Sequence, residues 1–122
     1  MKKFLAGAML VLSTAIVLTS LVFAQGSPNE PPVAGINAVI IIIHGRDNDD
    51  KKSVDGTPSY DLDGEVVHYR WDLDGDGSFE TDTGDVPRAE VGFTEPGQYW
   101  VGLQVTDDDG ATDTRYAWVT LE

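Results

Sequence analysis

Past residue 24 the apolar and polar side chains alternate with a period of two, and no stretch carries the three- and four-residue spacing of an amphipathic helix. Over residues 65–73 this alternation puts Val67, Tyr69 and Trp71 on one face of a strand and His68 and Arg70 on the other. Residues 98–106 repeat the pattern, with Tyr99, Val101, Leu103 and Val105 inward and Trp100, Gly102 and Gln104 outward. A short strand is predicted over 90–93, with Val91 and Phe93 inward, and a closing strand over 115–121. Residues 39–43 are an unbroken β-branched run, predicted as a strand buried on both faces, or an aggregation hazard if exposed.

The intervals between these segments read as turns. Residues 45–53 form a polar loop, and Asp61-Leu-Asp-Gly64 reads as a tight turn with Gly64 available for positive φ. Glu95-Pro-Gly97 is a second turn, and Asp107-Asp-Asp-Gly110 a hairpin turn, because Asp-Gly favours the left-handed conformations hairpins need. Six or seven short strands punctuated every eight to twelve residues predict an all-β fold, an antiparallel β-sandwich.

Composition changes the picture at the N-terminus. Lys2 and Lys3 precede an apolar stretch, and Val22-Phe23-Ala24 offers the small residues of a cleavage site, so residues 1–24 are read as a signal peptide. The stretch is also long enough to span a bilayer, so an uncleaved signal anchor is the alternative and the one route to a membrane. Residues 25–32, where Pro31-Pro32 sets an extended entry, read as a linker, and 33–122 as one small domain. There is no cysteine, so stability rests on a packed core and on any bound metal. The net charge of −13, with all 21 acids after the leader, argues against nucleic acid and anionic membranes as partners. An exported, secreted or cell-surface location follows from the leader.

The run from Tyr69 to Glu80 carries the chemistry: Asp72, Asp74 and Asp76 alternate with Gly75 and Gly77 between them. Clustered carboxylates repel unless a hard cation fills the space between them. Residues 72–83 match much of an EF-hand loop, with Asp72, Asp74 and Asp76 at positions 1, 3 and 5 and Gly77 at position 6. Position 12 is Thr83 in place of the bidentate Glu, and the flanks are strand, so the loop is no EF-hand. It remains a candidate calcium loop, closed by Glu80 or Asp82, with an affinity on the order of 10⁻⁴–10⁻³ M. The competing interpretation is a solvated acidic turn whose carboxylates accept backbone N–H groups.

Several motifs together carry a family resemblance. Ser59-Tyr-Asp-Leu-Asp-Gly64, Tyr69-Arg-Trp-Asp72, Pro96-Gly-Gln-Tyr-Trp-Val101 and Leu103-Gln-Val-Thr-Asp107 resemble the polycystic kidney disease (PKD) domain family over roughly residues 29–122. The resemblance implies an immunoglobulin-like β-sandwich of about seven strands in an extracellular protein. Two departures stand out: the acidic turn is one residue longer than the family pattern, and Lys51-Lys-Ser-Val54 replaces an alternating strand. The second departure leaves 39–43 as the candidate second strand and 45–58 as an atypical loop. The resemblance also implies a second calcium site at the N-terminal entry, with Asn29, Asp61, Asp63 and Asp72 as the matching positions.

Arg70, His68, Gln104 and Trp100 are expected on the outer face of one sheet, joined by Tyr116 or Trp118 according to the last strand's register. Exposed aromatics among polar groups can stack on sugars or on a protein partner, though cross-strand aromatic pairs also simply stabilise a sheet. Trp71, by its place on the central strand, is expected in the core. Catalysis has no support: the carboxylates sit in solvated turns, there is no cysteine nucleophile, and Ser59 lacks a nucleophile-elbow setting. The expected function is a non-catalytic module contacting an extracellular protein or polysaccharide, with calcium stiffening its loops. The alternatives are a structural spacer or cell-envelope subunit, and an accessory polymer-binding domain for a separate hydrolase.

Overall fold

The computed structural model describes residues 27–46 and 50–122. The expected leader, residues 1–24, lies outside the described residues. Seven strands follow in order: β1 (Ile41–Ile43), β2 (Lys51–Asp55), β3 (Val66–Asp72), β4 (Thr81–Gly84), β5 (Arg88–Glu90), β6 (Gly97–Asp107) and β7 (Thr112–Leu121). They form two antiparallel sheets, β1-β2-β5 and β4-β3-β6-β7. The inward side chains fill the space between the sheets. Trp71, Val101, Leu103, Val105 and Val119 are all fully buried, joined from the smaller sheet by Val54 and Ala89.

The long alternating segments fold as their pattern requires. In β6, Val101, Leu103 and Val105 are buried and Trp100 is exposed, and Trp71 sits at the centre of the core. Gly110 closes the β6–β7 hairpin at φ 89°, a conformation that disfavours any side chain with a Cβ.

Four expectations are corrected. The isoleucine run is not doubly buried: Ile40 is 5% exposed, but Val39, Ile42 and Ile43 lie at 53, 40 and 48%. The run changes sheets midway, since Ile40 N–H bonds the Thr120 carbonyl of the larger sheet while 41–43 pair with β2 as an edge strand. Second, residues 51–55 are strand rather than loop, and β2 lies between β1 and β5. Its Lys-Lys-Ser start hid this strand, because Ser53 and Asp55 are polar yet buried, Asp55 by hydrogen-bonding neighbours. Asp55 accepts from the Thr57 amide and hydroxyl and from Asn37 Nδ2, with Arg88 Nε at 3.6 Å. Third, a bulge between Val66 and His68 turns Val67 outward and lets Val66 pack on the core. Fourth, Gly64 does not adopt positive φ; its small size matters because a Cβ there would run into the Asp108 carboxylate.

The strand expected over 90–93 begins and ends earlier, at 88–90, with Ala89 buried; Val91 and Phe93 still face the core. Strand β4, Thr-Asp-Thr-Gly, has no apolar position to announce it and is held by its ladder to β3.

Candidate functional site

Three features of the described residues gather the candidate groups. The first is the loop after β3. Asp72 ends that strand fully buried, and its carboxylate takes four donors. Oδ1 accepts the amides of Gly75 (2.8 Å) and Asp76 (3.2 Å); Oδ2 accepts the Gly77 amide and the Tyr116 hydroxyl, each at 2.8 Å. Gly75 and Gly77, at φ 72° and 92°, allow the chain to curl around it. Oxygens of Asp72, Asp74, Asp76 and Glu80 all lie within 4.8 Å of one another. Asp82 does not join them: it points along β4 to His68 Nε2 (2.6 Å) and accepts the Gly84 amide (2.9 Å). The Gly84 amide and then His68 hold its carboxyl below the ordinary value.

Burial works to raise the Asp72 pKa, but the Tyr116 hydroxyl and the loop amides outweigh it and leave the carboxyl below its usual range. Asp74 moves the other way. The Asp72 carboxylate beside it, aided by burial and by Asp76, pushes it up to about 6. A carboxyl raised from 3.8 to about 6 on folding binds more protons folded than unfolded across that interval. The associated stability is therefore complete below the ordinary value and lost as pH rises through 6. In EDTA the melting midpoint is expected to rise as pH falls from 7 to 5, and to fall again below about 4, where the unfolded chain takes up protons that the lowered-pKa carboxyls of the folded protein, Asp55, Asp72, Asp82 and Asp107, do not yet bind. Asp74→Asn should flatten the upper part of this profile; a midpoint that declines monotonically from pH 7 to 5 in the wild type would contradict it.

The second feature lies at the opposite end of the same strands. Asn29 Nδ2 donates to Asp107 Oδ2 (2.8 Å), the Glu30 amide donates to Asp63 Oδ2 (2.8 Å), and the Asp63 amide donates to Asp61 Oδ1 (3.3 Å). Asn29, Asp61 and Asp63 thus lie at one end of the sandwich together with Asp107. Asp72 does not join them. It pairs with Gly102, whereas Asp107 pairs with Val66 six residues away, about 20 Å along an antiparallel ladder. Asp107, almost fully buried, occupies the place expected of Asp72. Its signal was legible as the last residue of the alternating run before the Asp-Asp-Gly turn. The Asn29 side chain, and then the Ala111 and Asp109 amides, hold its carboxyl low against burial. Asp61 is the reverse case. Burial and the neighbouring Asp63 and Asp107 carboxylates raise its pKa, and its Oδ2 is buried with no donor. An orphaned acceptor aimed among carboxylates fits a hard cation, because a cation satisfies the lone pair and relieves the repulsion together.

The third feature is the outer face of the larger sheet. The ladder sets Trp100 opposite Trp118, Gly102 opposite Tyr116, and Arg70 beside Gln104 and Asp82. Both alternatives for the last strand, Tyr116 and Trp118, are on this face. Trp100 stacks on Tyr116 with centroids 5.6 Å apart and planes at 19°, and meets Trp118 at 5.0 Å and 50°. Phe79, which the sequence reading left out, touches the other side of Tyr116 at 6.0 Å. Trp100 and Trp118 remain 41 and 58% exposed. Beside this aromatic ridge lies a polar strip of His68, Arg70, Gln104 and Thr114, with Arg70 donating to the Phe79 carbonyl (2.9 Å).

With this geometry in hand, comparison with known proteins is informative. A family model described as PKD domain matches residues 29–121. The PKD1 domain of Vibrio anguillarum Epp superposes with a TM-score of 0.53 at 34% identity, over 78% of this chain and 98% of that domain. The PKD1 domain of the Vibrio cholerae metalloprotease PrtV gives 0.50 at 29% identity, over 76 and 99%. A structure described for carbohydrate-binding modules of the β-sandwich superfamily gives 0.53 at 28% identity, over 77% of this chain and 35% of that one. In sequence, collagenase ColA of Clostridium perfringens is 39% identical over 61 residues, half of this chain. The rat dyslexia-associated protein KIAA0319 homolog is 38% identical over 65 residues. The aligned segments are 5 and 6% of the lengths of those two proteins. The family model covers most of the chain, so the chain belongs to the PKD domain family.

Proposed function

We propose that this protein is an exported, non-catalytic module that binds an extracellular polysaccharide through the outer face of its larger sheet, with calcium tying down the N-terminal end. The observation that carries the binding reading is the ridge of Trp100, Tyr116 and Trp118 beside Arg70, Gln104 and Thr114. Two tryptophans left about half exposed are costly on a sheet that has an adequate core elsewhere. Ring faces suit the C–H faces of pyranoses, and the adjacent amide, hydroxyl and guanidinium suit their hydroxyls. The likeness to a structure described for carbohydrate-binding modules supports this, whereas the match to a collagenase favours a protein polymer as the competing ligand. A net charge of −13 favours a neutral or cationic polymer over an acidic one.

The expected result is retention of the protein on insoluble chitin or cellulose, weakened about tenfold or more by Trp100→Ala, the usual cost of removing a central aromatic anchor. Collagen fibrils serve as the protein-ligand arm. Retention on collagen alone would replace the polysaccharide reading, and no retention on any of the three would favour a structural spacer.

For the cation, the orphaned Asp61 Oδ2 favours the end formed by Asn29, Asp61, Asp63 and Asp107. A second reading puts it in the loop after β3, where four carboxylates converge within 4.8 Å. There, however, the four lone-pair positions of Asp72 are already taken, so a cation would rest on Asp74, Asp76 and Glu80 or displace an amide.

A further inference from the structure

We propose that Asp72 is the positioning residue of the aromatic face: through the Tyr116 hydroxyl it fixes the ring that Trp100 stacks on, so the loop after β3 and the ridge act as one preorganised platform. This rests on the polysaccharide reading of that face and specifies how the face is held for its ligand.

Asp72 has no exposed surface, so its carboxylate cannot meet a polymer directly. It reaches the face only through Tyr116, whose hydroxyl donates to Oδ2 at 2.8 Å. That bond leaves the Tyr116 hydroxyl engaged below the surface and presents only the ring. The ring lies flat because its cross-strand partner is glycine. A Cβ built on Gly102 would come within 2.5 Å of Tyr116 Cε1 and force the ring off the sheet. Trp100 then packs on the ring from one side. From another side it meets Gly75, where a Cβ would lie 3.0 Å from the Trp100 carbonyl and 3.2 Å from its Cδ1. The Gly75 amide is itself held by Asp72 Oδ1. Both supports of Trp100, the Tyr116 ring and the Gly75 turn, therefore converge on one buried carboxylate. A platform fixed before the ligand arrives avoids the ordering cost of free aromatic side chains, which is the advantage such a carboxylate confers.

Tyr116→Phe tests this cleanly, because it keeps the ring and removes only the hydroxyl that Asp72 holds. In the full chain without ligand, the near-ultraviolet circular dichroism of the coupled aromatics should weaken and acrylamide quenching of tryptophan should increase, with the far-ultraviolet spectrum unchanged. Trp71 is fully buried, so the quenching change reports Trp100 and Trp118. Retention on chitin or cellulose should fall about fivefold or more, as expected for loss of a charge-assisted hydrogen bond. Gly102→Ala, which displaces the ring while leaving Asp72 in place, should reproduce both effects. An unchanged near-ultraviolet spectrum and unchanged quenching in Tyr116→Phe would overturn the proposal. So would lost retention with unchanged free-state spectra, since the hydroxyl would then be contacting ligand itself. If the wild type binds no polymer, the polysaccharide reading fails, while the ligand-free spectra still decide whether Asp72 positions the ridge.

Discussion

Trp71→Ala should come close to unfolding the domain, losing roughly 3–5 kcal/mol against a total of roughly 5–15 kcal/mol for a fold of this kind. Trp71 is the largest fully buried side chain and stands between the two sheets. It lies so close to the β2 turn that a Cβ on Gly56 would be 3.2 Å from its ring and 2.8 Å from Leu103. Neither sheet can close over the gap without losing its own register, so little relaxation is available. A second substitution separates packing from polarity. The indole Nε1 is buried with no acceptor, an unfavourable feature of the native state. Trp71→Phe removes that orphan donor along with part of the volume and should cost clearly less than Trp71→Ala. Urea denaturation followed by far-ultraviolet circular dichroism measures both. A loss below about 1 kcal/mol in Trp71→Ala, the range of an average substitution, would remove Trp71 from the centre of the core.

The parts of this fold legible from sequence are those in which one rule dominates. Strands β3 from Tyr69 to Trp71 and β6 from Trp100 to Val105 carry their inward residues at alternate positions, so alternation identifies them, and the Asp-Gly end of Asp107-Asp-Asp-Gly110 marks the hairpin. Strand β2 was not legible because two of its buried positions, Ser53 and Asp55, are polar, and Asp55 is held by Asn37 and Arg88 from other segments. The isoleucine run was misjudged for a related reason. Hydrophobicity says that a segment prefers burial, whereas its exposure was decided by the switch from one sheet to the other between Ile40 and Ile41. The candidate site divides in the same way. That Asp61, Asp63 and Asn29 meet could be anticipated from their motifs. That Asp107 rather than Asp72 completes the group depends on strand length, because neighbours along β3 are carried to opposite ends of the sandwich.

That division makes the cation prediction specific. With a dissociation constant on the order of 10⁻⁴–10⁻³ M, 10 mM calcium should stabilise the folded protein by roughly 1.4–2.7 kcal/mol through mass action. For a domain near one hundred residues this is a rise in melting midpoint of roughly 6–20 °C over the value in EDTA. Magnesium should give much less, because it demands a tight octahedral shell and gives up water reluctantly, whereas calcium accepts irregular sets of carboxylate and amide oxygens. Asp61→Asn should abolish the calcium response and at the same time raise the midpoint in EDTA. Its Oδ2 is buried near Asp63 and Asp107 and lacks a donor, so an amide removes a repulsive charge that the cation would otherwise neutralise. Asn29→Ala should weaken the response, because it removes the Asn29 side-chain oxygen as a ligand and the hydrogen bond that positions Asp107. Asp74→Asn and Asp76→Asn should leave it intact. The reverse outcome, a calcium shift lost in those two variants and kept in Asp61→Asn, would move the cation to the loop after β3. In that case the cation would rest on Asp74, Asp76 and Glu80 or take the place of one of the four donors of Asp72, and loss of the Tyr116 hydroxyl among them would make the stacking of Tyr116 on Trp100 calcium-dependent as well.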